Sequence, residues 1–214
     1  MIVAIDGPAA AGKGTLARRL ATHFGLAYLD TGRLYRAVGL KVLAAGGDPA
    51  DASAATAVAR NLAPAALASP GLRDEQVSEA ASVVAAQPAV RAALLLFQRR
   101  FAHSPPDGKR GAVLDGRDIG TVICPEADAK LFVHARIEVR AERRARELQP
   151  AGWEAIYPRV LQDMKDRDER DRTRGIAALT PAADADDLDT SDLDADQAFA
   201  KALDFIATRN RARG

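Results

Sequence analysis

The stretch Gly7-Pro8-Ala9-Ala10-Ala11-Gly12-Lys13-Gly14-Thr15 constrains this chain more than any other. It follows the apolar, β-prone run Ile2-Val3-Ala4-Ile5 and opens a helical pattern in which Leu16, Leu20, Ala21 and Phe24 share a face. A strand, a glycine turn and a helix N-terminus in that order form the context in which backbone N–H groups converge on phosphate oxygens. The helix dipole adds positive potential at the same place. Lys13 is expected to reach the β- and γ-phosphates as a point charge, and the Thr15 hydroxyl to face Mg²⁺. The segment predicts a nucleoside triphosphate site.

The rest of the composition is that of an ordinary globular chain. At 214 residues it can bury one sizeable core with a smaller attached module. A formal net charge of +1 supplies no overall pull toward nucleic acid or an anionic membrane. Cys124 is the only cysteine, so no intramolecular disulfide is expected, and its apolar surroundings predict an inert buried thiol. No apolar run approaches the roughly 20 residues of a membrane span. The chain starts in a strand rather than a leader, and the expectation is a cytoplasmic monomer that binds neither nucleic acid nor membrane.

Taken in order, Leu26–Leu29 reads as a second strand ending in Asp30 and Thr31, which are candidate caps for a helix. That helix would bury Leu34, Ala37, Val38 and Val42 and stop at Gly46-Gly47. Residues 51–62 and 74–87 read as helices in an Ala-rich region. Another is expected to start at Pro88, with Val90, Ala93, Leu94 and Phe97 on one side and Arg91, Gln98, Arg99 and Arg100 elsewhere. Gly111–Leu114 is a buried strand running into Asp115-Gly116-Arg117-Asp118, and a carboxylate at its end suits a Mg²⁺-water contact. Lys130–Ala135 is a further strand, with His134 read as a hydrogen-bonded structural residue. Positions 136–174 hold eleven basic and nine acidic residues, on two helices joined by the breaker Gln149-Pro150-Ala151-Gly152. Val160, Leu161 and Met164 would face inward on the second of them. Arginine-bearing helices of this kind suit a lid that closes over phosphates and excludes water. The tail predicts an edge strand at 187–190 and a closing helix burying Phe199, Ala202, Leu203 and Ile206.

Four motifs now stand in order: GPAAAGKGT at 7–15, LDTGRLYR at 29–36, LDGRDIGT at 114–121 and RDERDRTR at 167–174. The glycine between Lys13 and Thr15 resembles the loops of nucleoside-monophosphate kinases more than those of GTPases. Together the four resemble the bacterial cytidylate kinase family, whose members move a phosphoryl group from ATP to CMP or dCMP. The resemblance implies that Gly7 to Thr15 hold ATP, with Mg²⁺ at Thr15 and, through water, at Asp115. It assigns Thr31, Arg36, Arg91 and Arg117 to the acceptor phosphate and base, and Ser82 and Asp118 to the cytosine edge. Asp171 is assigned to the sugar hydroxyls, with Arg167 and Arg174 nearby, and Arg143 and Arg144 to the lid. Lys13, Arg117, Arg143, Arg144 and Arg167 would then act on the transferring phosphoryl group. Planar guanidinium groups suit a dianionic acceptor, and a carboxylate suits the exocyclic amine of cytosine.

The expected fold is an α/β P-loop kinase with a parallel central sheet in three layers. Its core would comprise 1–35, 106–139 and 166–214, with a helical acceptor-binding insert at about 36–105 and a lid at about 140–165. Two departures from the family accompany this. Arg33 stands where a small residue is usual, and residues 60–73 are too short and too poor in strand formers for the usual three-stranded insert. Two alternatives stay open. One is a kinase of another small anionic acceptor such as UMP or shikimate. The other is a nucleotide-sensing switch, although the Asn-Lys-x-Asp guanine-reading pattern is absent.

Overall fold

Five short runs form the sheet: β1 (Ile2–Asp6), β2 (Ala27–Asp30), β3 (Ala112–Gly116), β4 (Ala129–His134) and β5 (Asp186–Asp189). The computed structural model describes residues 1–148, 156–173 and 178–213. The strand order is β2-β3-β1-β4-β5, in which β1 runs parallel to β3 and β4, and β4 parallel to β5. The central position of β1 explains its unbroken apolar run, since Val3, Ala4 and Ile5 are fully buried. Register sets Asp6 beside Gly116 and Phe132, and His134 beside Asp189. The loops that follow β1, β3, β4 and β5 therefore leave from one edge of the sheet, where ligands of open α/β sheets bind.

The chain divides into two compact units, residues 1–29 with 102–214, and residues 30–101. In the first, α1 (Lys13–Phe24) lies between two glycines in the left-handed region, Gly12 and Gly25. Its buried Leu16, Ala17, Leu20 and Ala21 join a core with Val3, Ile5, Val113, Leu131 and Leu188. Ala202 and Ile206 of α8 (Ala195–Arg213) complete that core, with Phe199 and Leu203 packed against it, as the periodicity predicts. Cys124 is fully buried. Two further helices, α6 (Ile137–Leu148) and α7 (Tyr157–Thr173), share a smaller cluster of Ala141, Val160 and Met164, with Leu161 partly buried beside them. The breaker at 149–152 lies outside the described residues.

The second unit is helical from Thr31 onward: α2 (Thr31–Ala44), α3 (Ala52–Arg60), α4 (Glu75–Ala85) and most of α5 (Pro88–His103). Asp30 caps α2 by accepting from the Arg33 N–H at 3.2 Å, while the Arg33 residue itself is exposed. A 3-10 turn at Pro64–Ala68 occupies the short 60–73 stretch, and no strand forms there. The Ala-rich composition has a packing reason. A Cβ on Gly39 of α2 would lie 3.0 Å from the Ala80 Cβ and 3.2 Å from the Ala81 amide of α4, so the two helix backbones approach closely.

One expectation for α5 is corrected. Its buried stripe is Val90, Arg91, Leu94 and Gln98, while Ala93 and Phe97 are only partly buried. Gln98 tolerates burial because its amide donates to the Leu94 carbonyl of its own helix, at 3.1 Å. Arg91 tolerates it by donating to the Ala85 carbonyl and lying 5.5 Å over the Tyr35 ring.

Candidate active site

In the loop between β1 and α1 four carbonyls are occupied while four consecutive N–H groups are not. Pro8 O accepts from the Lys13 ammonium at 2.6 Å, and Ala9 O from Arg140 at 3.3 Å. Ala11 O accepts from the Thr190 hydroxyl at 3.0 Å, and Gly12 O from the Leu16 N–H at 3.1 Å. The N–H groups of Gly12, Lys13, Gly14 and Thr15 donate to no acceptor among the described residues. Backbone of this kind, at a helix N-terminus with Ala10 at φ 57 and Gly12 at φ 88, is an anion-binding concavity. Gly7 is required by its φ of 146 and by space, since a Cβ there would collide with the Val133 carbonyl.

Cations crowd the loop. Lys13 is buried, and burial together with Arg117 and Arg167 pushes its ammonium down to about 7, against Asp115 and Asp6. A lysine and guanidinium groups gathered at a helix N-terminus suit a polyphosphate. Arg117, on the loop after β3, donates through Nε to Asp171 at 2.7 Å. Burial opposes the Arg117 charge, but Asp171, Asp115 and Asp168 more than restore it and hold the guanidinium above its usual range. Asp171 is itself 2% exposed, on α7.

The residues expected at a metal are oxygen donors of the right kind. Thr15 is exposed at the start of α1, and Asp115 accepts from the Tyr28 hydroxyl at 2.8 Å. A Cβ on Gly14 would stand in ordinary contact with the Asp115 carboxylate at 3.4 Å and the Tyr28 hydroxyl at 3.6 Å, and a longer side chain would reach into the space beside Asp115. One carboxylate and one hydroxyl fit Mg²⁺, which keeps most of its waters and leans on substrate phosphates.

The expected lid arginines divide. Arg143 donates to the Thr190 hydroxyl at 3.1 Å and to its carbonyl at 2.7 Å, and Arg144 reaches Glu147 at 3.4 Å. Arg146 pairs with Glu142, and Arg136 makes a two-pronged pair with Asp192. Arg167 lies among the cations near Lys13. Arg174 lies outside the described residues. His134 bonds to Asp187 at 2.9 Å, in keeping with a structural role.

Within the second unit, Arg36 donates to Asp30 at 2.7 Å, and Thr31 is buried at the start of α2. Gly32 leaves room for that pair, since a Cβ would stand 3.0 Å from the Asp30 carboxylate. Ser82, on α4, is 3% exposed, and its hydroxyl has no hydrogen-bond partner among the described residues. A buried hydroxyl left in that state is unfavourable unless a ligand meets it.

Five residues that support the site received no role from the sequence: Asp6, Tyr28, Arg140, Asp168 and Thr190. Arg140, 5% exposed, grips Asp168 with two bonds at 3.2 and 2.6 Å and also donates to Ala135 O and Ala9 O. It ties β4, the phosphate loop and α7 together. Thr190 does the same for β5, its N–H donating to His134 O at 2.8 Å and its hydroxyl to Ala11 O at 3.0 Å. Asp6 carried a signal that singles out Asp115 as well, a carboxylate ending an apolar strand. Nothing local marks Arg140 among the five arginines between 136 and 146.

A parallel sheet with this strand order, a phosphate loop joining β1 to α1, and guanidinium and carboxylate groups after β3 define a P-loop α/β nucleotide-binding protein. Comparisons narrow the class. The family model described as cytidylate kinase matches residues 3–208. A cytidylate kinase of Paramagnetospirillum magneticum is 64% identical over 97% of this chain and 98% of its own length. Those of Rhodospirillum rubrum and Xanthobacter autotrophicus are each 58% identical, over 99% and 100% of both chains respectively. The chain belongs to the cytidylate kinase family. Among solved structures, an uncharacterized protein from Eubacterium ventriosum superposes with a TM-score of 0.53 at 14% identity, covering 97% of this chain and 99% of that one. That likeness concerns the fold alone. No single described helix is long and apolar enough to cross a membrane.

Proposed function

We propose that this protein transfers the γ-phosphoryl group of ATP to CMP and dCMP, with Mg²⁺ bound to the triphosphate. The observation that carries this reading is the loop at 8–15, in which the Pro8, Ala9, Ala11 and Gly12 carbonyls are bonded within the protein while the N–H groups of Gly12 to Thr15 donate to no acceptor among the described residues, beside the buried ammonium of Lys13. Membership of the cytidylate kinase family directs the acceptor to a cytosine nucleotide.

In this reading Gly7 to Thr15 bind the donor phosphates, and Thr15 and Asp115 hold Mg²⁺, the latter through water. The metal neutralises charge on the phosphate oxygens when bound. Lys13, Arg117 and Arg167 stabilise charge that develops on the transferring group, and Arg143 and Arg144 belong to the lid. Little covalent chemistry is asked of the protein in such a transfer, so positioning and electrostatics carry the rate. Thr31, Arg36, Arg91 and Arg117 serve the acceptor phosphate and its neighbourhood. Ser82 and Asp118 serve the cytosine edge, and Asp171 serves the sugar, with Arg167 and Arg174. The unpartnered Ser82 hydroxyl supports its role, because base discrimination is strongest where a wrong base would leave a buried polar group unmatched.

The test is ADP formation from Mg-ATP with CMP, dCMP, UMP, AMP or shikimate added in turn. Turnover with CMP and dCMP far above the rest is expected, and Asp118→Ala should lower kcat/KM for CMP by about 100-fold or more. Turnover with another acceptor instead would overturn the base assignment, and ATP hydrolysis that ignores every acceptor would overturn the kinase reading.

A further inference from the structure

Asp6 ends β1 directly before the phosphate loop and is 5% exposed. Its carboxylate accepts from two consecutive backbone donors, Ile119 N–H and Gly120 N–H, each at 2.7 Å. These are the first two donors of a five-residue π turn, Ile119–Ile123, that follows Asp118. A helical turn leaves its first N–H groups without partners of its own, and Asp118, the residue before the turn, makes no side-chain capping bond. The acceptors come from Asp6, which is remote in sequence.

The consequence falls on Asp118. Its carbonyl accepts from the Val122 N–H at 2.9 Å and the Ile123 N–H at 3.1 Å. The Ile119 N–H, in the same peptide group, is held by Asp6. The peptide plane that follows Asp118 is thus clamped on both sides, which sets the backbone torsion from which the Asp118 side chain departs. Gly120 has little slack, since a Cβ on it would stand 3.1 Å from the Lys130 Cδ and 3.4 Å from the Asp6 carboxylate.

We propose that Asp6 is a positioning residue for base selection: it caps the turn after Asp118 from the neighbouring strand and so aims Asp118 at the acceptor base. This rests on the proposed function, in which Asp118 reads cytosine. Asp6 touches neither nucleotide in this account.

Asp6→Asn tests it, because the amide keeps the shape but turns an NH₂ toward one of the two donors. The ratio of kcat/KM for CMP to that for UMP is expected to fall about tenfold, mainly through a higher KM for CMP. ATP affinity measured without acceptor should stay within about threefold, a split that a merely structural role would not produce. If circular dichroism shows the variant unfolded, Gly120→Ala retains both donors and crowds the same carboxylate, and the same shift in ratio is expected from it. A ratio unchanged in whichever variant folds and binds ATP overturns the inference. An unaltered protein that leaves CMP unphosphorylated would instead sink the functional reading, a different result in a different sample.

Discussion

Asp6 shows how much one buried group can combine. Burial pushes its carboxyl up to about 6, and the nearby Asp118 adds to that, while the Ile119 and Gly120 N–H groups and Lys13 act in the opposite sense. The native carboxyl takes up its proton at a higher pH than the unfolded one, at 3.8. Its linked stability is therefore fully present below the unfolded value and is lost as pH rises through about 6, so Asp6 does not drive acid unfolding. The price is functional, because a protonated carboxyl is a poorer acceptor for two N–H groups. We expect the CMP-to-UMP selectivity ratio to decline as pH falls through about 6, measured as a ratio so that ionisation of the acceptor phosphates cancels. The Asp6→Asn protein should lack that inflection, and a wild-type ratio flat from pH 5 to 8 would contradict the account. Lys13 and Asp115 stood out in the sequence because motif and strand end marked them. Asp6 carried the same strand-end mark, but nothing local shows that its partners lie at 119 and 120.

Elements are where periodicity served best and where its reach ended. The helix at 31–44, with Leu34, Ala37, Val38 and Val42 buried, follows from spacing and from the Asp30 cap. On α5 the polar Arg91 and Gln98 replace Ala93 and Phe97 in the buried stripe, which hydrophobic spacing alone does not show, because the Gln98 amide folds back onto the Leu94 carbonyl. The closeness of α2 and α4 could not be read from either helix alone. It depends on Gly39 facing Ala80 and Ala81, with 3.0 Å between a would-be Cβ and the Ala80 Cβ. Gly39→Val should force those helices apart at about 1–3 kcal/mol. Because α2 carries Arg36 and α4 carries Ser82, KM for CMP should rise several-fold while ATP affinity holds. Equal losses for both nucleotides would argue for general unfolding instead. Arg140 with Asp168 is the opposite case, a buried ion pair whose loss would leave an uncompensated charge, a cost of roughly 3–5 kcal/mol.

At the scale of the whole molecule, function opposes stability in the phosphate loop. Lys13 sits buried beside Arg117 and Arg167, and its depressed value of about 7 records the cost of keeping a cation there. Lys13→Met removes that cost and loses a charged hydrogen bond to Pro8 O, worth about 1.5–3 kcal/mol, together with the attraction to Asp115 and Asp6 already counted in the depressed value. In EDTA and without nucleotide, its Tm should rise by about 3–8 °C for a chain of this size, with phosphoryl transfer abolished. A lower Tm would show that Lys13 holds the empty loop together.

What the sequence determined by itself was local: the phosphate loop, the strands and helices around it, and the order of four motifs that marks the family. Each depends on residues within a few positions of one another, where spacing dictates geometry. The tertiary structure alone decided the pairings. Asp6 meets a turn more than a hundred residues away, Thr190 meets the loop at Ala11, and Arg140 is chosen from five similar arginines to hold Asp168. Those choices follow from the strand order, which brings the ends of β1, β3, β4 and β5 to one edge, and no local spacing encodes it.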